Sequence, residues 1–268
     1  MPRSTRSSPS HRDKKNPASH SGRLVLLIGP SCVGKTPLYK SFAKFYPELR
    51  ARLQKLVMIN SRSPRPGEVD GVDFHFRTRT QLEALRSDPR YAVLEVHHDL
   101  QALDIQELES LLARGGAFYE GNSSVGRTLL THPRLAGVPK FSVFLSPLSK
   151  EEIVYFKSPE RKRNVSLPDL LTDVMRRKLL RRTTRQKGIL STKDLADIEK
   201  RAGDAYPELQ DAWHFDHVIP NHDGEDSDHW EAFYYLIGDA RKTLEAFAEL
   251  LKGSTPVNVE KWDENLVP

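Results

Sequence analysis

The sequence predicts an α/β fold built on a parallel sheet, and three observations predict it. Short, continuously apolar runs recur along the chain. Amphipathic segments of helical period separate them. The first run feeds a glycine-rich loop that opens a helix. Alternation of this kind demands right-handed crossovers, which place helices on both faces of the sheet.

Residues 23–28 (RLVLLI) read as a buried strand, because the run is apolar throughout and ends at a glycine. A helix is expected from Lys35 to Tyr46, with Leu38, Phe42 and Phe45 on one face and Pro47 stopping it. KLVMI (55–59) is a second strand. Residues 60–76, dense in Pro, Gly and charge, form a loop with short extended pieces. RTQLEALRS (79–87) is a short helix with Thr80 as its cap, and YAVLEV (91–96) a strand. Residues 104–116 are an amphipathic helix ended by a glycine pair. Strands follow at 117–121 and 140–147. Residues 148–170 break the rhythm with a charged, irregular stretch. Two helices, 170–188 (very basic) and 191–213, lead to a last strand at 215–221. A long helix is expected over 228–253.

The chain has 268 residues, enough for one large domain or a domain with an insertion. No apolar run approaches the roughly 18–20 residues of a membrane helix. One cysteine, Cys32, rules out an intrachain disulfide and suits a reducing, cytoplasmic compartment. The net charge of +5 is uneven. Residues 1–22 carry five cations against Asp13, a net +4, in a Ser- and Pro-rich context that reads as a disordered tail. That tail has no apolar core, so it is not a secretory signal. Its Arg- and Ser-rich, acid-poor composition is shared with organellar transit peptides. The rest of the chain is nearly neutral, so a basic face for nucleic acid is not implied. The histidines at 97, 98, 214, 217, 222 and 229 match no metal-ligand spacing.

GPSCVGKT, from Gly29 through Pro30, Ser31, Cys32, Val33, Gly34 and Lys35 to Thr36, fits G-x-x-x-x-G-K-[ST]. The glycines let successive backbone N–H groups face one anion, and the helix that follows adds a partial positive charge. Lys35 is expected to reach the β- and γ-phosphates of a nucleoside triphosphate. The Thr36 hydroxyl is expected to ligate Mg²⁺. The context fits: a buried strand ends just before the loop and a helix begins within it. Cys32 lies near that helix N-terminus, where a thiolate is favoured; a simple need for a small side chain is the alternative.

The segment SRSPRPGEVDGVDFHF (61–76) carries a second signal. Two arginines three apart, Arg62 and Arg65, can fork onto one phosphate, and the flanking prolines limit the freedom lost on binding. Together with the phosphate loop this segment resembles the guanylate kinase family, whose members follow that loop with T-R-x-P-R-x-G-E-x-x-G-x-D-Y-x-F. The resemblance extends, more faintly, from about residue 23 to 250. It implies a three-layer α/β/α P-loop kinase with a parallel central sheet, an acceptor-binding region and a helical lid. The corresponding division is core 23–58, 117–147 and 214–253, acceptor region 59–116, lid and insertion 148–213, and tails 1–22 and 254–268. It further implies that Arg62 and Arg65 grip the acceptor phosphate and that Glu68 fixes their loop.

The chain departs from the family on the acceptor side. Phe74 stands where a tyrosine hydroxyl helps bind that phosphate. Met58 replaces a small hydroxyl residue, and DLQA (99–102) replaces N-Y-Y-G. Glu95 is available to read the acceptor base, although an ungapped match puts Ala92 there. Glu120 and Asn122 match two aspartates, and Glu120 either acts on Mg²⁺ through water or caps its strand. Transfer of a phosphoryl group needs positive charge on its equatorial oxygens, which mobile lids supply with arginines. Arg182, Arg185 and Arg201 are the candidates. Asn221 falls where the family contacts the donor adenine. The resulting expectation is transfer of the γ-phosphoryl group of Mg·ATP to a nucleoside monophosphate, most simply GMP. A P-loop kinase with another phosphorylated acceptor and a non-catalytic binding module are the alternatives.

Overall fold

The computed structural model describes residues 22–65, 67–96, 99–158 and 165–268. The basic tail 1–21, and His97 and His98, therefore lie outside the described residues. In chain order the elements are β1 (Arg23–Ile28), α1 (Lys35–Phe45), α2 (Pro47–Ala51), β2 (Gln54–Lys55), β3 (Ile59–Asn60), β4 (His75–Phe76), α3 (Arg79–Ala84), β5 (Tyr91–Val96), β6 (Asp99–Asp104), α4 (Ile105–Ala113), β7 (Gly116–Gly121), α5 (Ser123–Thr131), β8 (Lys140–Ser146), α6 (Lys150–Lys157), α7 (Leu167–Lys187), α8 (Thr192–Gln210), β9 (His217–Pro220) and α9 (Gly238–Leu251).

Five strands form a parallel sheet in the order β2-β7-β1-β8-β9. Leu24 to Ile28 in its central strand are fully buried, as a strand covered on both faces must be. Alternate residues feed two cores. Val25 and Leu27 pack with Leu38 and Phe42 of α1 and Leu244 and Phe247 of α9. Leu24, Leu26 and Ile28 face Leu108 of α4, Val125 of α5, Leu179 of α7 and Leu209 of α8. This is the expected three-layer α/β/α arrangement. A second, mixed sheet, β4-β3-β6-β5, stands beside it with α3 packed on one face.

Several expected elements are redrawn. The apolar run 55–59 is not one strand. Its start, β2, pairs with β7, and its end, β3, pairs with β4 and β6, so the chain changes sheets across Leu56–Met58. Pro47 does not merely stop a helix but opens α2, where its missing N–H costs nothing. Thr78, not Thr80, caps α3, in a reciprocal capping box with Gln81. Strand β6 and helix α5 were not foreseen. The irregular stretch after 148 contains α6, opened by a Ser149–Glu152 capping box. The last helix begins at Gly238 rather than 228, because the aromatic segment before it is non-helical and leaves Phe233 and Tyr234 exposed.

The segment 254–268, expected to be a tail, is packed. Glu260 exchanges two 2.8 Å backbone hydrogen bonds with Val218 on the edge of β9. Trp262, Leu266 and Val267 are buried in the main core. The Nζ of Lys157 (α6) donates to the Leu266 carbonyl at 2.9 Å, and Tyr206 and Gln210 (α8) donate to that of Pro268. Together, α6, α7 and α8 form a helical unit above the sheet. In α7 the buried stripe Leu167, Leu171, Met175, Leu179, Thr183 recurs every four residues, one face of a helix.

Candidate active site

The phosphate loop joins β1 to α1 at the carboxyl end of the sheet. Gly29 (φ 153°), Cys32 (φ 68°) and Gly34 (φ 104°) turn it through conformations with positive φ. At Gly34 the requirement is steric as well as torsional. A Cβ there would sit 2.6 Å from the Asn221 Nδ2 and 2.8 Å from the Asp223 carbonyl. Helix α1 starts with no side-chain cap and no acid in its first turn, which leaves its amides open to an anion. The Lys35 ammonium donates 2.7 Å hydrogen bonds to the carbonyls of Gly29 and Pro30.

A cavity of about 580 Å³ opens over this loop, and most of the expected residues meet there. Gly29, Ser31, Cys32, Lys35 and Thr36 of the loop line it, with Arg62, Arg65, Glu68 and Phe74 from the segment 61–76 and with Glu120, Arg182 and Arg201. Pro30, Val33 and Gly34 build the loop without lining the cavity; Val33 is buried in the core beneath it.

The loop that carries Arg62 and Arg65 is tied down by Glu68. Glu68 accepts two 2.6 Å bonds from the Arg62 guanidinium and a third, 2.7 Å, from the Arg65 amide. The rings of Phe74 and Phe76 lie 5.1 and 5.5 Å from the Arg62 guanidinium carbon. Phe74 thus supports the arginine by cation–π attraction. The Ser61 hydroxyl accepts from the Leu100 amide and stitches the loop to β6.

Three expected residues are placed elsewhere. Glu95 is exposed and does not line the cavity. It pairs with Leu100 on the face that packs against α3, while its neighbours Leu94 and Val96 point the other way, as period two requires. Arg185 also turns away, into a second cavity of about 550 Å³ shared with Lys178, His222 and His229. There it is paired with Asp228 at 3.0 Å. Arg182 and Gln186, one turn apart, hold the side of α7 that faces Lys35. Asn221, expected at the donor adenine, is fully buried. Its amide donates to the carbonyls of Val33 (2.8 Å) and Asp223 (2.7 Å), so it braces the phosphate loop from behind.

The electrostatics follow from burial. Burial pushes the Cys32 thiol up to about 12, with Glu225 adding to the effect, which argues against a thiolate in this loop. Burial, reinforced by Arg62, lowers Arg201 to about 10. Glu120 is raised by burial, against the pull of Lys55 and Lys35, and its Oε2 is buried with no hydrogen-bond partner among the described residues. Among those residues no group of three or more His, Cys, Asp or Glu side chains could hold a metal ion. Thr36 and Glu120 are among the oxygen-bearing side chains that line the cavity over the phosphate loop.

Other cavity residues escaped sequence reasoning. Asp99 and Gln101 project from β6, and the polar–apolar alternation of DLQALD could have revealed them. Tyr119 and Glu225 also line the cavity, and nothing local in the sequence marks them. Met58, by contrast, is buried in the core.

Comparisons with known proteins agree with this geometry. A family model described as guanylate kinase matches residues 21–96. A guanylate kinase of Corynebacterium jeikeium is 32% identical over 212 residues, covering 76% of this chain and 90% of that protein. One from Synechococcus sp. is 28% identical over 225 residues, covering 78% and 80% respectively. The crystal structure of guanylate kinase from Anaplasma phagocytophilum superposes with a TM-score of 0.52 at 16% identity, covering 87% of this chain and 86% of its own, a likeness of fold.

Proposed function

Because the chain belongs to the guanylate kinase family, we propose that this cavity transfers the γ-phosphoryl group of ATP to GMP, giving ADP and GDP. The observation that carries the reading is that one cavity is lined both by the phosphate loop with Lys35 and by Arg62 and Arg65. The uncapped start of α1 with Lys35 takes the triphosphate. Arg62 and Arg65 take the phosphate of the acceptor, with Glu68 fixing their geometry. Core, acceptor region (59–116) and lid (148–213) are the three parts that close around them.

An oxygen of the acceptor phosphate attacks the γ-phosphorus in line, and the bond to the ADP oxygen breaks. That oxygen is already anionic, so no general base is required. Lys35, Arg182 and Arg201 supply positive charge to the group in flight. The lowered Arg201 stays protonated at neutral pH, since its value of about 10 lies well above 7. Thr36 would hold Mg²⁺ together with the nucleotide phosphates, and Glu120, whose Oε2 has no hydrogen-bond partner among the described residues, would add negative charge for that ion. The ion supplies neutralisation of the β- and γ-oxygens. A cytoplasmic setting belongs to the same reading, since a single cysteine suits a reducing compartment.

A second reading keeps the reaction and changes the acceptor. Burial of Met58 in the core and the outward face of Glu95 favour it, because neither can hydrogen-bond a base in the cavity. An assay of ADP release with GMP, AMP, CMP and UMP separates the two. GMP is expected to be the preferred acceptor. Lys35→Ala is expected to lose roughly 10²–10³-fold in turnover, and Arg62→Ala to raise KM for the acceptor. No turnover with any monophosphate, despite ATP binding, would sink the kinase reading.

A further inference from the structure

Glu225 lies on the loop between β9 and α9, and it touches both halves of the donor side. Its backbone amide donates to the Cys32 carbonyl of the phosphate loop at 3.3 Å. Its carboxylate accepts from the Arg182 Nη1 of α7 at 2.9 Å. The pair is largely withdrawn from solvent, at 13% exposure for Arg182 and 17% for Glu225. Burial opposes the charge of both groups. The attraction outweighs it in each, so Arg182 is raised, and Glu225 is lowered with help from Lys35. Both are therefore ionised at neutral pH.

The ion pair engages only one corner of the guanidinium. The Arg182 Nε is buried with no hydrogen-bond partner among the described residues, and the side chain lines the reaction cavity. A guanidinium has five donors in a rigid planar fork. Fixing Nη1 fixes the plane and the direction of the others. A buried donor without a partner is costly, so this arginine is held in place at an energetic cost. The loop that carries Glu225 is itself anchored. The Asp223 carboxylate accepts from the Ser227 hydroxyl, the His229 ring and the Ala240 amide, each at 2.9 Å. The Trp230 indole donates to the carbonyls of Asp223 and Gly224 at 3.0 Å.

We propose that Glu225 is the positioning residue of Arg182. It ties one corner of the lid arginine to the phosphate loop, so that the remaining donors meet the transferring phosphoryl group without a search. The proposal rests on the reading of Arg182 as a transition-state arginine. Glu225 also lines the cavity, but Arg182 is the side chain it holds by a hydrogen bond, and its role is assigned through that arginine.

A double-mutant cycle tests this in the full chain, with ATP and GMP as substrates. Arg182→Ala is expected to lower kcat by roughly 10²–10³-fold. Glu225→Gln, which keeps the shape and removes the charge, is expected to lower kcat by roughly 10-fold or more with KM for GMP unchanged. The double variant is expected to match Arg182→Ala within about twofold, because a residue that acts only through Arg182 has nothing further to lose. Glu225→Asp and thermal melts of each variant control for folding. Wild-type turnover in Arg182→Ala overturns the reading of Arg182 and this proposal with it. A slow Arg182→Ala with a fully additive double variant, or a Glu225→Gln that changes KM for GMP alone, overturns this proposal and leaves the reading of Arg182 standing.

Discussion

At the scale of single residues, the phosphate loop shows how a motif and its surroundings divide the work. The glycine at position 34 is required by its φ of 104° and by the Asn221 amide, which leaves no room for a Cβ. Gly34→Ala is therefore expected to cost roughly 1–3 kcal/mol of stability and to weaken ATP binding. Denaturant melts and ATP titration check this; a variant with unchanged stability would show the contact to be soft. The motif itself was legible, because anion binding by a glycine loop demands a fixed local spacing. So was the Arg62–Arg65 pair with Glu68. Asn221 and Glu95 were not, because what they touch is set by the packing of distant segments. Arg185 lies three residues from Arg182, about 60° round the helix, and that offset is enough to turn it into the second cavity.

At the scale of elements, apolar period predicted the strands of the parallel sheet and the two long helices. It failed where short strands are half-polar, as in β6, and where one apolar run serves two sheets, as at 55–59. The base of the lid carries a feature that period cannot reveal. The His222 ring bridges Glu152 on α6 (2.9 Å) and Asp239 on α9 (2.6 Å), and its own carbonyl accepts from Lys178 on α7. Hydrogen bonding to Glu152, against the effect of burial and with help from Asp239, raises the imidazole to about 9. A group whose folded value lies above its ordinary 6.5 stabilises fully below that value and ceases to do so above about 9. Between pH 6.5 and 9 the wild type is expected to lose stability that His222→Gln does not lose. Thermal midpoints of both across that window decide it, and parallel curves would refute it. The bridge is half exposed, so added salt weakens it.

At the scale of the whole molecule, residues 259–268 bind three parts into one: the edge of β9, helix α6 and helix α8. Trp262 is the anchor at 3% exposure, and its indole donates to the Glu260 carboxylate at 2.6 Å. Trp262→Ala is expected to cost roughly 3–5 kcal/mol, read as a lower denaturant midpoint. A loss below about 1 kcal/mol would mean that the segment merely rests on the core. The bridge between Val218 and Glu260 also bears on how copies of this chain meet one another. An open sheet edge is a template on which a second molecule can add strands and seed aggregates. Here one outer strand is only two residues long. The other is closed at its second residue by Glu260 and at its last by Pro220, which has no N–H to offer. At neither end does the central sheet present a ladder long enough to recruit a neighbour.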